Sequence, residues 1–185
     1  ITTSGSDSDG TFFSSSSKNN IISNLDIKTT NADAAGILIS SSSNDNYISN
    51  TTIITTGING FGVGFFSGSY SRSNNNTFVG MIIKTDNSGA NAFNINGVSH
   101  NFTLLDSILN ASHASAVDFF VAGAVGGGEW NFTNVSFIDK TWSLGSVGTL
   151  NVHWYVDAFA NNSDNTPVVN VNVSAFDINN LLRFS

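Results

Sequence analysis

The chain reads as an all-β fold: a stack of parallel β-coils over residues 1–150, followed over 151–185 by a β-hairpin or partial β-sandwich appendage. Three observations predict it. Apolar residues recur in pairs two positions apart, which puts both side chains on one face of a strand, and no helical spacing competes with them. These pairs return in units of about 25 residues. Of 185 residues only 10% are charged, yet 40% are apolar and 15 are Phe, so a polar chain rich in Asn, Ser and Thr still has a core to build.

The repeat is read from Asn20, Asn46, Asn76, His100 and Trp130 as origins of successive units. Two, five and seven residues on stand Ile22, Leu25 and Ile27; Ile48, Thr51 and Ile53; Phe78, Met81 and Ile83; Phe102, Leu105 and Ser107; Phe132, Val135 and Phe137. The inward parity breaks between the second and fifth positions, so the chain bends there. The fourth position holds Asn24, Asn50, Gly80, Leu104 and Asn134, mostly types that accept a left-handed backbone at low cost. A third strand follows at Ile37 and Ile39, Val63 and Phe65, Phe93 and Ile95, Val117 and Phe119, then Val147 and Thr149. Thr11 and Phe13 fit the end of an earlier, truncated unit. The origins lie 26, 30, 24 and 30 residues apart, and the extra length is placed in loops at 67–75 and 121–129.

A unit of three short strands cannot bury its apolar face alone, so stability must come from stacked neighbours. Each coil buries about five apolar side chains at roughly 1.5–3 kcal/mol apiece, which must offset the entropy of ordering the backbone. Segments such as Asn20-Ile21-Ile22-Ser23-Asn24-Leu25-Asp26-Ile27 and Asn46-Tyr47-Ile48-Ser49-Asn50-Thr51-Thr52-Ile53 resemble the right-handed parallel β-helix repeat of the pectin-lyase-like superfamily. The resemblance covers roughly residues 10–150 and implies a right-handed parallel β-helix of about five to six coils. It leaves function open among lyases, glycosidases, phage tail fibres, adhesins and surface proteins.

From Asn151 the repeat is expected to stop. Val152 to Phe159 and the alternating Val169, Val171 and Val173 read as two strands of a hairpin joined across Asn161 to Pro167. Trp154-Tyr155 with the later Pro-Val-Val also resembles the opening strands of small immunoglobulin-like modules. An isolated hairpin is marginal in water, and a solenoid end exposes unpaired backbone groups, so the two features suggest polymerisation. Thr11, Phe13, Trp154, Tyr155, Val169, Val171 and Val173 are the assembly residues of this reading, with the chain itself as partner in a head-to-tail homopolymer.

Chemistry is sparse. A net charge of −7 with six Lys and Arg argues against nucleic acid. No apolar run suggests a membrane span, and the absence of Cys excludes disulfides and thiolate metal sites. The start at Ile1 suggests a processed mature protein or an excised fragment. Acceptor sequons at Asn50, Asn75, Asn101, Asn110, Asn131, Asn134, Asn161 and Asn172 are glycosylation candidates, only slightly more than chance gives, in a chain expected to be extracellular or at the cell surface. The acids do not stack in phase as polysaccharide hydrolysis or elimination needs: Asp118 has Leu38, Gly64, Asn94 and Gly148 at its equivalent positions. His100, His113 and His153 read as turn-bonding residues, and Asp7-Ser8-Asp9-Gly10 lacks the ligands of a calcium loop, so neither metal nor cofactor is expected. Exposed contact chemistry fits better at Phe66, Tyr70, Arg72, Phe120, Glu129 and Trp130, on or beside the two long loops, with glycans as a candidate ligand class. The reading is a non-catalytic extracellular structural protein of a filament, sheath or adhesin. Its alternative is a carbohydrate-binding or polysaccharide-degrading β-helix.

Overall fold

The computed structural model describes residues 1–5, 7–66, 72–98, 100–125, 127–138, 142–144, 148–155, 175–176 and 182–184. The chain divides into two units, Ile1–Trp154 and Tyr155–Ser185. The first is a parallel β-solenoid of about 5 turns, and no helix occurs among the described residues. Each turn lays strands on three faces. The first face holds Ile21–Ser23, Tyr47–Ser49, Asn76–Val79, the opening parts of Phe102–Ala111 and Glu129–Phe137, and Thr149–His153. The second holds Thr2–Thr3, Asp26–Thr29, Thr52–Thr55, Ile82–Thr85 and the closing parts of the same two long strands. The third is a 6-stranded sheet of Thr11–Phe13, Ile37–Ser40, Val63–Phe66, Phe93–Val98, Phe119–Val125 and Trp142–Leu144.

The corner between the first two faces is a one-residue bend, as the Asn pattern predicts. Asn24, Asn50, Gly80 and Asn134 have φ of 57°, 48°, 62° and 54°. In the fourth coil the bend falls on Asp106, φ 47°, instead of Leu104. The origin there is Phe102, in register with Asn76 and Trp130, so His100 lies two residues ahead of it. The cause is a missing residue at the preceding corner: Asn101 N–H donates to Asn74 Oδ1 and Ser73 N–H to His100 Nδ1, which leaves no counterpart for Asn75. Leu104, Ser107 and Leu109 therefore point inward, and Phe119, not Val117, stands above Phe93, Val63 and Ile37.

The fifth coil departs too. Trp142–Leu144 occupies the third face where Val147 and Thr149 were expected, and Thr149–His153 already opens the next turn on the first face. The solenoid thus runs past the expected boundary at residue 150. Val152 and His153 pair in parallel with Phe132 and Thr133, as part of the solenoid, while the second strand of the expected hairpin lies outside the described residues. Trp154 and Tyr155 are exposed, while Val169, Val171 and Val173 lie outside the described residues. In the second unit Ala175–Phe176 pairs antiparallel with Leu182–Phe184.

Inside the solenoid, the early coils are aliphatic, with Ile27, Ile37, Ile39, Ile48 and Ile53 fully or almost fully buried. Beside them runs an amide ladder: Asn20 Nδ2 donates to Asn46 Oδ1 at 2.8 Å, and Asn46 Nδ2 to Asn76 Oδ1 at 3.0 Å. Thr29 Oγ1 donates to Thr55 Oγ1 at 3.1 Å on the second face. The later coils are aromatic, with Phe102 stacked on Phe65 and on Phe93 at ring separations of 5.0 and 5.3 Å. Gly36 and Gly62 recur at the entrance to the third face because there is no room for a side chain. A Cβ on Gly36 would lie 2.2 Å from Ile53 Cγ2 and 2.8 Å from the Gly62 carbonyl oxygen of the next layer.

Candidate functional site

The third face and the corner before it carry a groove running from layer to layer. Outward on this face stand Leu38, Gly64, Asn94 and Phe120, in register across four coils. Gly64 leaves the sheet bare, and the Phe66 ring covers it: a Cβ on Gly64 would sit 2.8 Å from the Phe66 ring. Phe61, from the corner, packs on Phe66 with ring centroids 5.5 Å apart. Two depressions result, sharing Asp33 and Phe61. The larger, about 560 Å³, has Phe61, Val117 and Phe120 as its apolar surface and Asp33, Asn59, Asn91, Asn94 and Ser115 as its polar one. The smaller, about 210 Å³, joins Leu38, Phe61 and Phe66 to Asp7, Asp9 and Asp33.

The rim is built by the left-handed corner. Asp7, Asp33, Asn59 and Gly89 all have positive φ, which turns the chain sharply and leaves the Asp33 and Asn59 side chains in solvent. Asn91 is held, its Oδ1 accepting the Val117 N–H at 2.9 Å. Asn94 is different. It is 6% exposed, and its Oδ1 is buried with no hydrogen-bond partner among the described residues. Asp9 accepts the Ala35 N–H at 2.7 Å, and its carboxyl pKa is raised by burial, with the Asp7 charge adding to the rise and the Ala35 bond opposing it.

Of the residues singled out from the sequence, Phe66 and Phe120 both belong to this groove, one at each depression. Tyr70 lies outside the described residues. Arg72 is exposed but lines neither depression. Glu129 lies elsewhere, on the first face, where its N–H donates to Asn101 Oδ1 and it lines a polar hollow with Asn75, Asn101 and Asn131. Trp130 is not a surface contact residue: it is fully buried, edge-on to Phe119, with Gly128 and Gly148 giving room to its indole. Parity explains this, because Trp130 and Phe132 stand two apart on a strand and share the inward side.

Asp118 is buried and accepts the Ala111 N–H at 2.7 Å, a structural duty. His113 bonds within its turn to Ser115. His100 is buried against Phe65, accepts the Ser73 N–H at 2.9 Å and has no partner for Nε2 among the described residues. Burial lowers its pKa to about 4, and the Arg72 charge reinforces the fall. Among the sequons, Asn50, Asn75, Asn101 and Asn134 are exposed, Asn110 and Asn131 are half-buried in strands, and Asn161 and Asn172 lie outside the described residues.

The sequence reading missed Phe61, Asn94 and Asp33. For Asn94 a signal was present in its equivalence with Leu38 and Gly64, an outward row too mixed to serve as core, whereas Phe61 and Asp33 lie at corners outside that row. With this geometry compared against known proteins, no family model matches the chain, and neither a curated protein nor a solved structure does.

Proposed function

We propose that this chain is a non-catalytic extracellular structural protein, a subunit of a surface filament, sheath or adhesin assembled through the solenoid ends and the C-terminal strands. The observation that carries the reading is at the first turn: Thr2–Thr3, Thr11–Phe13 and Ile21–Ser23 are all sheet-end strands, paired on one side only among the described residues. Thr11 N–H donates inward to the Gly36 carbonyl, so the alternation of a parallel strand aims the Phe12 amide outward. Edges of this kind template a further strand. The superfamily resemblance, the exposed sequons and the exposed Trp154 and Tyr155 agree with a secreted, self-associating solenoid. Electron microscopy of concentrated protein tests it: filaments are expected, and Phe12→Pro, which removes an outward amide while sparing the inward bond, abolishes them without unfolding the chain. Monomers of the natural chain at every concentration overturn the reading.

The groove favours a second reading, carbohydrate binding, which is compatible with an adhesin. Aromatic faces flanked by amides and carboxylates are the surface a polyol contacts, with ring C–H groups on Phe and hydroxyls on the rim. Asp118, being engaged beneath the sheet, adds no acid to that surface.

A further inference from the structure

We propose that the third-face groove takes an uncharged glycan chain and rejects polyuronates; the proposal rests on the carbohydrate reading and adds its selectivity. Three observations carry it. First, the groove follows the stacking direction, and the layer spacing of about 4.8 Å is close to the length of one sugar unit. Phe66 and Phe120, two layers apart, therefore offer rings to separate sugars of one chain, with Phe61 packed on Phe66 in the same layer.

Second, the unmet demand in the groove is for a donor. Asn94 Oδ1 is a buried acceptor with no hydrogen-bond donor among the described residues, and leaving such a group unpaired is costly. A sugar hydroxyl supplies the missing proton. A carboxylate has none to give at neutral pH and would set lone pairs against lone pairs.

Third, the charge has one sign. Asp7, Asp9 and Asp33 are the ionisable groups lining the two depressions, and no Lys, Arg or His lines either among the described residues. Lys28 and Lys84 stand on the outer side of the second face. A polyuronate would bring one negative charge per sugar to an acidic rim in a chain of net charge −7, and like charges at close range are a device for excluding the wrong ligand.

The test uses the full chain in calorimetry at low salt, against hexasaccharides of neutral glucans, mannans and N-acetylglucosamine and against hexagalacturonate. A neutral chain is expected to bind at least tenfold more tightly than hexagalacturonate. Asn94→Leu, which keeps the volume but removes the acceptor, should weaken neutral binding by tenfold or more, as should Phe120→Ala. Asp33→Lys should raise the affinity for hexagalacturonate relative to that for the best neutral chain by about tenfold, and an unchanged ratio overturns the role of the rim charge. Binding of hexagalacturonate equal to that of the best neutral chain, and sensitive to Phe120→Ala, overturns the selectivity while sparing the carbohydrate reading. Absence of binding to every sugar overturns that reading itself. Binding indifferent to both Asn94→Leu and Phe120→Ala places the site elsewhere and overturns the proposal.

Discussion

The early and late coils fill the same backbone layer in two different ways. In the turns beginning at Asn20, Asn46 and Asn76, the inward origin position is an amide, and register is held by hydrogen bonds that reach only to the next layer. At Phe102 and Trp130 that column becomes aromatic, and rings from different faces meet: Phe102 touches Phe65, Phe78, Phe93, Phe119 and Phe132. An amide ladder is directional and cheap in volume; an aromatic cluster is non-directional but ties several layers together. The lesson is that a solenoid needs a repeat in backbone geometry and inward volume, and tolerates a change in how that volume is filled.

The comparison is broken most severely at its aromatic centre. Phe102→Ala removes the ring shared by five neighbours and should cost about 3–5 kcal/mol, the usual range for a buried Phe. Urea denaturation checks it; a loss below about 1 kcal/mol means the late coils do not depend on that cluster. The next effect sits at the seam, where Ser43 N–H donates to Ser73 Oγ and Ser73 N–H to His100 Nδ1, so that a hydroxyl column ends in an imidazole. A histidine whose pKa falls from 6.5 unfolded to about 4 folded binds its proton more readily in the unfolded chain. Its contribution is therefore intact above pH 6.5, lost as pH falls towards 4, and constant below that. The loss should approach about 3 kcal/mol. Melting across this window should show a slope that His100→Asn flattens; equal slopes in both proteins would sink the assignment.

This seam is also where the fold is hardest to read. The paired apolar residues and the left-handed Asn24, Asn50 and Asn134 make the coil, its corner and its stacking direction legible. The run Phe102-Thr103-Leu104-Leu105 is apolar at both parities, so pattern alone cannot choose between origins two residues apart. Bend chemistry can, because Asp accepts a left-handed backbone far better than Leu, and Asp106 rather than Leu104 takes it. The same slip hides the groove. With the fourth coil misregistered, Asp118 falls beside Asn94 and Gly64 where Phe120 belongs, and a line of outward residues from four coils looks like unrelated side chains. The corner residues Phe61 and Asp33 belong to no strand periodicity, and only the stacked layers bring them together.

The smallest of these effects tests the polar half. Asn46 Oδ1 accepts from both the backbone N–H and the side-chain amide of Asn20, at 3.1 and 2.8 Å, and its own amide donates to Asn76 Oδ1 and to the Ser17 carbonyl. Asn46→Ala strands these partners beside an aliphatic core, and about 1–3 kcal/mol should be lost. Asn46→Leu separates the two fillings, since it restores volume without restoring bonds. If the ladder sets register, Asn46→Leu should be as unstable as Asn46→Ala and should raise hydrogen exchange at Asn20 and Tyr47, whose amides lie along that column. If Asn46→Leu instead matches the natural chain in urea midpoint and exchange, apolar volume governs both halves, and the amide column is a replaceable filling of the same layer.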